Sequence, residues 1–77
     1  MPFAPWDLTK KPNAITYDPG KDQFILACDG GELFTLPTCS KCNEFKKISE
    51  IDLNAIICVD YYLVIVGNEY SFFIQRL

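Results

Sequence analysis

The chain carries nearly the same pattern twice. The triplet Asn13-Ala14-Ile15 recurs as Asn54-Ala55-Ile56, a separation of 54 − 13 = 41 residues. Each triplet is followed by a turn and then by an apolar run, at residues 24–28 and 62–66. A period near forty residues with several short strands per copy is typical of arrays of β-modules, in which one module does not bury its apolar face alone. The pattern therefore predicts a protein that is built for assembly.

The two copies differ in the length of their first turn. The separation falls to 62 − 24 = 38 residues at the apolar runs, an alignment that matches Phe34 with Phe72 further along. Surface turns tolerate such deletions. We predict one β domain at residues 13–77, with the two copies at 13–53 and 54–77.

Seven segments are predicted to form short strands, four in the first copy and three in the second. They are Ala14 to Asp18, Gln23 to Cys28, Glu32 to Leu36, Phe45 to Leu53, Ala55 to Val59, Tyr61 to Val66 and Glu69 to Arg76. β-branched and aromatic residues favour strands, and Gly, Pro and Asp clusters mark the turns between them. The second segment is apolar on both faces and predicts a central strand, whereas the fourth lies among charges and predicts a solvated outer strand.

The fold class that follows is all-β, with about seven short antiparallel strands in two repeats. The repeats, which cover residues 13–36 and 54–74, resemble the four-stranded blades of a propeller, although no specific family is identified. The resemblance implies that three copies of the chain would form six blades and that four copies would form eight. The alternative is a small sandwich or barrel made by a single chain.

Residues 1–12 are predicted to form an extended N-terminal arm. Pro2, Pro5 and Pro12 prevent a regular helix there. The second copy has one strand fewer than a blade requires. The resemblance implies that this arm would supply the missing strand, in its own chain or in a neighbour.

Composition excludes several classes of function. The net charge is −3 with no histidine, and an acidic balance disfavours nucleic-acid binding. Without histidine, an acyl-transfer triad lacks its usual base, so we predict no enzyme and no small-molecule substrate. No apolar stretch approaches the roughly 18 residues of a membrane helix, and the first residues do not resemble a secretory signal. We expect a cytoplasmic protein or part of a particle, such as a virion, and no membrane partner.

The cysteines are the only candidate metal ligands. Cys39 and Cys42 form a C-x-x-C pair, which can bind one zinc ion from a turn. A four-cysteine site would also need Cys28 and Cys58, at irregular spacing. The alternatives are a Cys39–Cys42 disulfide under oxidising conditions, or reduced thiols that pack as small hydrophobes. We expect no cofactor, with zinc as the one candidate.

Aromatic residues predict protein–protein contacts. The chain has four Tyr, six Phe and one Trp, more rings than a small domain easily buries, and such side chains dominate interfaces. The candidate interface residues are Phe3, Trp6, Tyr70, Phe72 and Phe73. A structural protein that self-associates within a larger complex is the predicted function, and it resembles small virion components such as those of phage tails. The alternatives are a small acidic inhibitor or adaptor that binds a host enzyme, and a zinc-stabilised binding module.

Overall fold

The computed structural model describes residues 10–38 and 44–77. Within these residues, seven antiparallel strands form two sheets. The four-stranded sheet contains, in order, β1 (Pro12–Asp18), β2 (Gln23–Cys28), β3 (Glu32–Pro37) and β4 (Glu44–Lys47). The three-stranded sheet contains β5 (Leu53–Val59), β6 (Tyr62–Gly67) and β7 (Phe72–Arg76). The predicted all-β class, with four strands followed by three, is confirmed, and the described strands form two separate sheets rather than one closed sheet.

Strand position follows the apolar pattern. β2, which is apolar on both faces, lies between β1 and β3, as predicted. β4 lies at the sheet edge with all four residues exposed, which confirms an outer strand but ends it at Lys47 instead of Leu53. The chain leaves the sheet at that point because the Ile48 N–H donates to the Gly31 carbonyl (2.8 Å) and the Ile48 side chain packs against the core.

The two sheets pack face to face, and β1 and β5 are the closest strands between them. The core is formed by side chains from both sheets that are at most 8% exposed: Ile25, Ala27, Leu33, Leu53, Ile56, Leu63 and Ile65. Two polar contacts join the sheets at this point. The Cys58 N–H donates to Thr16 Oγ1 (3.0 Å), and Asn13 Nδ2 donates to the Leu53 carbonyl (2.7 Å). These contacts give backbone groups at the packed faces the partners that burial requires.

The repeated asparagine occupies a β-bulge in both sheets. In β1 the register shifts between Pro12 and Ala14, which leaves Asn13 as the extra residue. In β5 the register shifts between Leu53 and Ala55, which leaves Asn54 in that position. A bulge bends the strand and increases its twist. The recurring triplet therefore begins with the residue that sets this bend in each sheet.

The turn after the second strand also has the same conformation in both sheets. Gly30 and Gly31 have φ values of 75° and 72°. Glu69 and Tyr70 occupy the corresponding turn with φ values of 59° and 61°. Two successive non-glycine residues with positive φ are uncommon. The second turn therefore keeps a backbone shape for which the first turn uses glycine.

Strand register corrects the predicted alignment by one residue. The turn between β1 and β2 contains four residues, 19–22, and the turn between β5 and β6 contains two, 60–61. Corresponding positions therefore lie 41 − 2 = 39 residues apart after the first turn, not 38. Phe34 corresponds to Phe73 in place of Phe72. A one-residue shift matters because it moves a side chain to the other face of a sheet.

Gly31 is the turn residue that the packing constrains most. A Cβ atom at this position would lie 1.9 Å from the Ser49 carbonyl oxygen, and the φ of 72° is unfavourable for other residues. We expect Gly31→Ala to lower the free energy of unfolding by about 2 kcal/mol or more, measured by urea denaturation. Gly20→Ala is the matched control, because its Cβ would meet only Asp18 Oδ1 at 3.4 Å. Equal midpoints for the two variants would contradict this account of the turn.

Candidate protein-contact surface

The outer face of the three-stranded sheet is an apolar surface, here named the β5–β7 face. Cross-strand pairing arranges its nine residues in three rows: Ala55, Val66 and Phe72; Ile57, Val64 and Ile74; Val59, Tyr62 and Arg76. Eight of these nine residues are apolar or aromatic, and the one charge lies at a corner. An antiparallel sheet with one face on the core normally has a polar outer face. This sheet is apolar on both sides.

The β5–β7 face is open to solvent. Its six large exposed side chains are between 42% and 60% accessible: Ile57, Val59, Tyr62, Val66, Phe72 and Ile74. Val64 is half-buried at the centre and, with Tyr62 and Ile74, lines a shallow depression of about 400 Å³. Contiguous exposed apolar surface marks an interaction site more often than scattered exposed residues do. We therefore take this face as the candidate contact surface.

The outer side of the four-stranded sheet, here named the β1–β4 face, is also apolar. Its residues are Ile15, Tyr17, Phe24, Leu26, Phe34, Leu36 and Phe45. Exposure is highest on β1, where Ile15 is 59% accessible, and falls to 3% at Phe34. The Tyr17 and Phe24 rings lie 5.5 Å apart, and the Phe34 and Phe45 rings lie 4.7 Å apart. These distances suit tilted aromatic pairs, so the exposed part of this face is centred on β1.

A hydrogen bond orients Tyr17 at the edge of the β1–β4 face. Its hydroxyl donates to Asp22 Oδ1 in the following turn. The bond stabilises the ionised carboxylate and the neutral phenol. It therefore lowers the pKa of Asp22, to which the Thr38 hydroxyl also contributes, and raises the pKa of Tyr17. Both side chains are exposed, so the bond is a local constraint on the ring.

The predicted interface residues fall into three groups. Tyr70 is fully exposed in the β6–β7 turn, and Phe72 is 60% exposed on the β5–β7 face. Phe73 lies on the opposite side of β7, half-buried against the core. This arrangement confirms that Phe72 and Phe73 point to different faces of the strand. Phe3 and Trp6 lie outside the described residues.

Sequence reasoning missed the main part of the surface on β5 and β6. Ile57, Val59, Tyr62 and Val66 supply four of its exposed side chains. The signal for them was present, since residues 55–66 are apolar at both odd and even positions. Such a run indicates a strand with two apolar faces, and a strand of a two-sheet structure has only one face against its partner sheet.

The described cysteines are free thiols. Cys28 is buried and Cys58 is half-buried, and burial is the main cause that raises the pKa of each thiol. A raised pKa keeps the thiol protonated, which is the less reactive form. Cys39 and Cys42 lie outside the described residues, and residues 10–38 and 44–77 contain no group of three or more His, Cys, Asp or Glu placed to hold a metal ion.

Asp18 is the buried acidic residue of the fold, at 2% exposed. Its Oδ1 accepts from the Gly20 N–H (3.0 Å), and its Oδ2 accepts from Gln23 Nε2 (3.1 Å). Both oxygens therefore close the β1–β2 turn, a common role for aspartate at such a position. This carboxylate is part of the turn structure.

Comparisons with protein-family models, curated proteins and solved structures find no match to this chain. In the part of the chain that the structure describes, no helix has both the length and the apolar character needed to cross a membrane. The two apolar faces are therefore the basis on which a function is proposed.

The Tyr17–Asp22 bond predicts a measurable change in titration. We expect Tyr17→Phe to raise the Asp22 pKa toward its ordinary value of 3.8, because the phenol that lowers it is removed. A group with a lowered pKa in the folded state stabilises the fold above its unfolded pKa and loses that contribution as the pH falls. The stability difference between wild type and variant should therefore be present above about pH 4 and disappear below it.

Carboxyl-carbon NMR of Asp22 as a function of pH measures this shift directly. Tyr61→Phe is the matched control, since Tyr61 is an exposed tyrosine in the other turn. The account would be wrong if the two variants gave the same Asp22 titration curve.

Proposed function

We propose that this chain is a non-enzymatic structural protein that works by protein–protein contact and self-association, with the β5–β7 face buried in the assembled state. The observation that supports the proposal is the nine-residue apolar array on an outward-facing sheet. In a protein that worked alone, this array would expose six large apolar side chains to water with no compensating contact.

Approximate energies indicate what kind of contact this face supports. Full burial of a large apolar side chain stabilises by about 1.5–3 kcal/mol, so half-exposed ones would add about 1 kcal/mol each. Six of them then contribute about 6 kcal/mol, against an association cost of about 4–15 kcal/mol. A single contact through this face is therefore marginal. An assembly in which each chain makes more than one contact fits the face better than an isolated pair.

The charge of the face favours assembly over the inhibitor alternative. An acidic inhibitor presents carboxylates to a basic site on its target. None of the nine positions on the β5–β7 face is Asp or Glu, and its one charged residue is Arg76. The acidic residues that lower the isoelectric point lie elsewhere in the chain.

Light scattering of the purified chain across a range of concentrations tests the proposal. We expect a discrete multiple of the 8.8 kDa chain mass. Ile74→Lys places an unpaired charge in the middle row of the face, and we expect it to weaken association by about 100-fold or more. Because Ile74 is 60% exposed, the fold itself should tolerate the change.

Glu50→Lys is the matched control, since it also adds positive charge but at an exposed site off the face. It should leave the mass of the assembly nearly unchanged. A chain that stays monomeric at every concentration, or an oligomer that Ile74→Lys does not weaken, would overturn the proposal.

A further inference from the structure

The register shows which face of one sheet corresponds to which face of the other. Corresponding residues lie 41 positions apart between β1 and β5, and 39 apart between β2 and β6 and between β3 and β7. By this rule the inward-facing residues Ala14, Ile25 and Leu33 correspond to Ala55, Val64 and Phe72. The side of the four-stranded sheet that packs on the core therefore corresponds to the outward β5–β7 face.

The reverse correspondence holds for the other two faces. Ile15, Leu26 and Phe34 form one row of the outward β1–β4 face. Their counterparts are Ile56, Ile65 and Phe73, which form one row of the inward side of the three-stranded sheet. The chemistry is preserved, because two of the three pairs are identical and the third exchanges Leu for Ile. The two sheets are therefore stacked in the same sense, like successive steps of one series.

Stacking in the same sense leaves an unfilled complementary pair of faces at the two ends of the chain. We propose that a second copy of this chain docks head-to-tail, with its β1–β4 face on the β5–β7 face of the first. The contact would repeat between chains the packing that joins the two sheets within one chain. This inference rests on the proposed function and names its partner and geometry.

The asparagine at each bulge supports this stacking independently. Asn13 donates from Nδ2 to Asp29 in its own sheet (2.8 Å) and to the Leu53 carbonyl of the other sheet (2.7 Å). Asn54 makes the corresponding in-sheet bond to Asn68 (2.6 Å), and its second N–H has no partner in the part of the chain that the structure describes. The counterpart of Leu53 is Pro12, so the carbonyl of Pro12 in the second copy would accept this hydrogen.

Charge supports the same orientation. Within the chain, the Gly30 N–H donates to Asp52 Oδ1 between the two sheets (2.6 Å). The counterparts of these residues are 30 + 39 = Glu69 and 52 − 41 = Lys11. In the head-to-tail contact, Glu69 of one copy would therefore lie beside Lys11 of the next. Opposite charges at these two positions favour this register.

Exposure is also distributed as the contact requires. β1 and β5 are the closest strands between the sheets of one chain, so β5 of one copy would lie beside β1 of the next. Ile15 on β1 is the most exposed residue of the β1–β4 face, at 59%. A head-to-tail contact either closes into a ring or continues as a filament. Rings of about two to four copies would hold about four to eight sheets, the usual number of blades in a closed propeller.

Two single-face variants test the orientation. Ile15→Lys damages only the β1–β4 face, and Ile74→Lys damages only the β5–β7 face. Each variant alone should be monomeric, because every head-to-tail contact would include one damaged face. When unlabelled Ile15→Lys is added to isotope-labelled Ile74→Lys, the intact faces can meet. We expect NMR shift changes at Tyr17 and Phe24 of the labelled chain, and none when unlabelled Ile74→Lys is added instead.

The outcomes separate this inference from the proposed function. A wild-type chain that is monomeric at every concentration would overturn both. An oligomer that Ile74→Lys dissociates and Ile15→Lys leaves intact would mean that the β5–β7 face packs on its own copy or on another surface. That result would overturn the head-to-tail contact and retain the proposed function.

A charge exchange provides a second test that does not depend on the apolar faces. Lys11→Glu and Glu69→Lys each place like charges across the contact, and each should weaken association by about two- to fivefold. The double variant restores opposite charges and should recover the wild-type affinity. Because both residues are exposed, neither change should affect folding. Single variants that match the wild type would contradict the proposed register.

Discussion

The contact between β1 and β5 is the interaction on which the rest of the structure depends. Sheets of three or four short strands are not stable in water unless one face is covered. Here each sheet covers one face of the other, with Ile25, Leu53 and Ile65 almost completely buried between them. The hydrogen bond from the Cys58 N–H to Thr16 Oγ1 holds the two strands in register with one another. The bulges at the repeated asparagines shape both strands where this contact begins.

The same contact explains why so much apolar surface remains outside. Both sheets are apolar on both sides, yet each sheet meets its partner with only one side. The register shows that the faces in use are different ones in the two sheets, so the unused faces are complementary to each other. A two-fold arrangement of equivalent faces would bury the same side of each sheet and leave no such pair. Stacking in the same sense is thus the physical basis of the proposed assembly.

Much of the fold was predictable, because the two-residue period of a strand and the chemistry of turns are local properties. The strand count and the central position of β2 follow from these patterns, as does the separation of Phe72 from Phe73 on opposite faces. The register between the two sheets was not predictable. The identity of the Asn-Ala-Ile triplet is too short to show that the first turn loses two residues and not three. The structure makes this visible through the cross-strand partners of Phe34 and Phe73.

The candidate surface shows the same division between local pattern and packing. The sequence by itself determined that Ile57 and Ile74 lie on strands, since side chains alternate between faces along every strand. It also determined that both sides of β5 and β6 are apolar. Only the tertiary structure decided which side faces the core. Two equally apolar sides have no hydrophobic preference for the interior, so the choice depends on which face meets the bend and hydrogen-bonding groups of the other sheet.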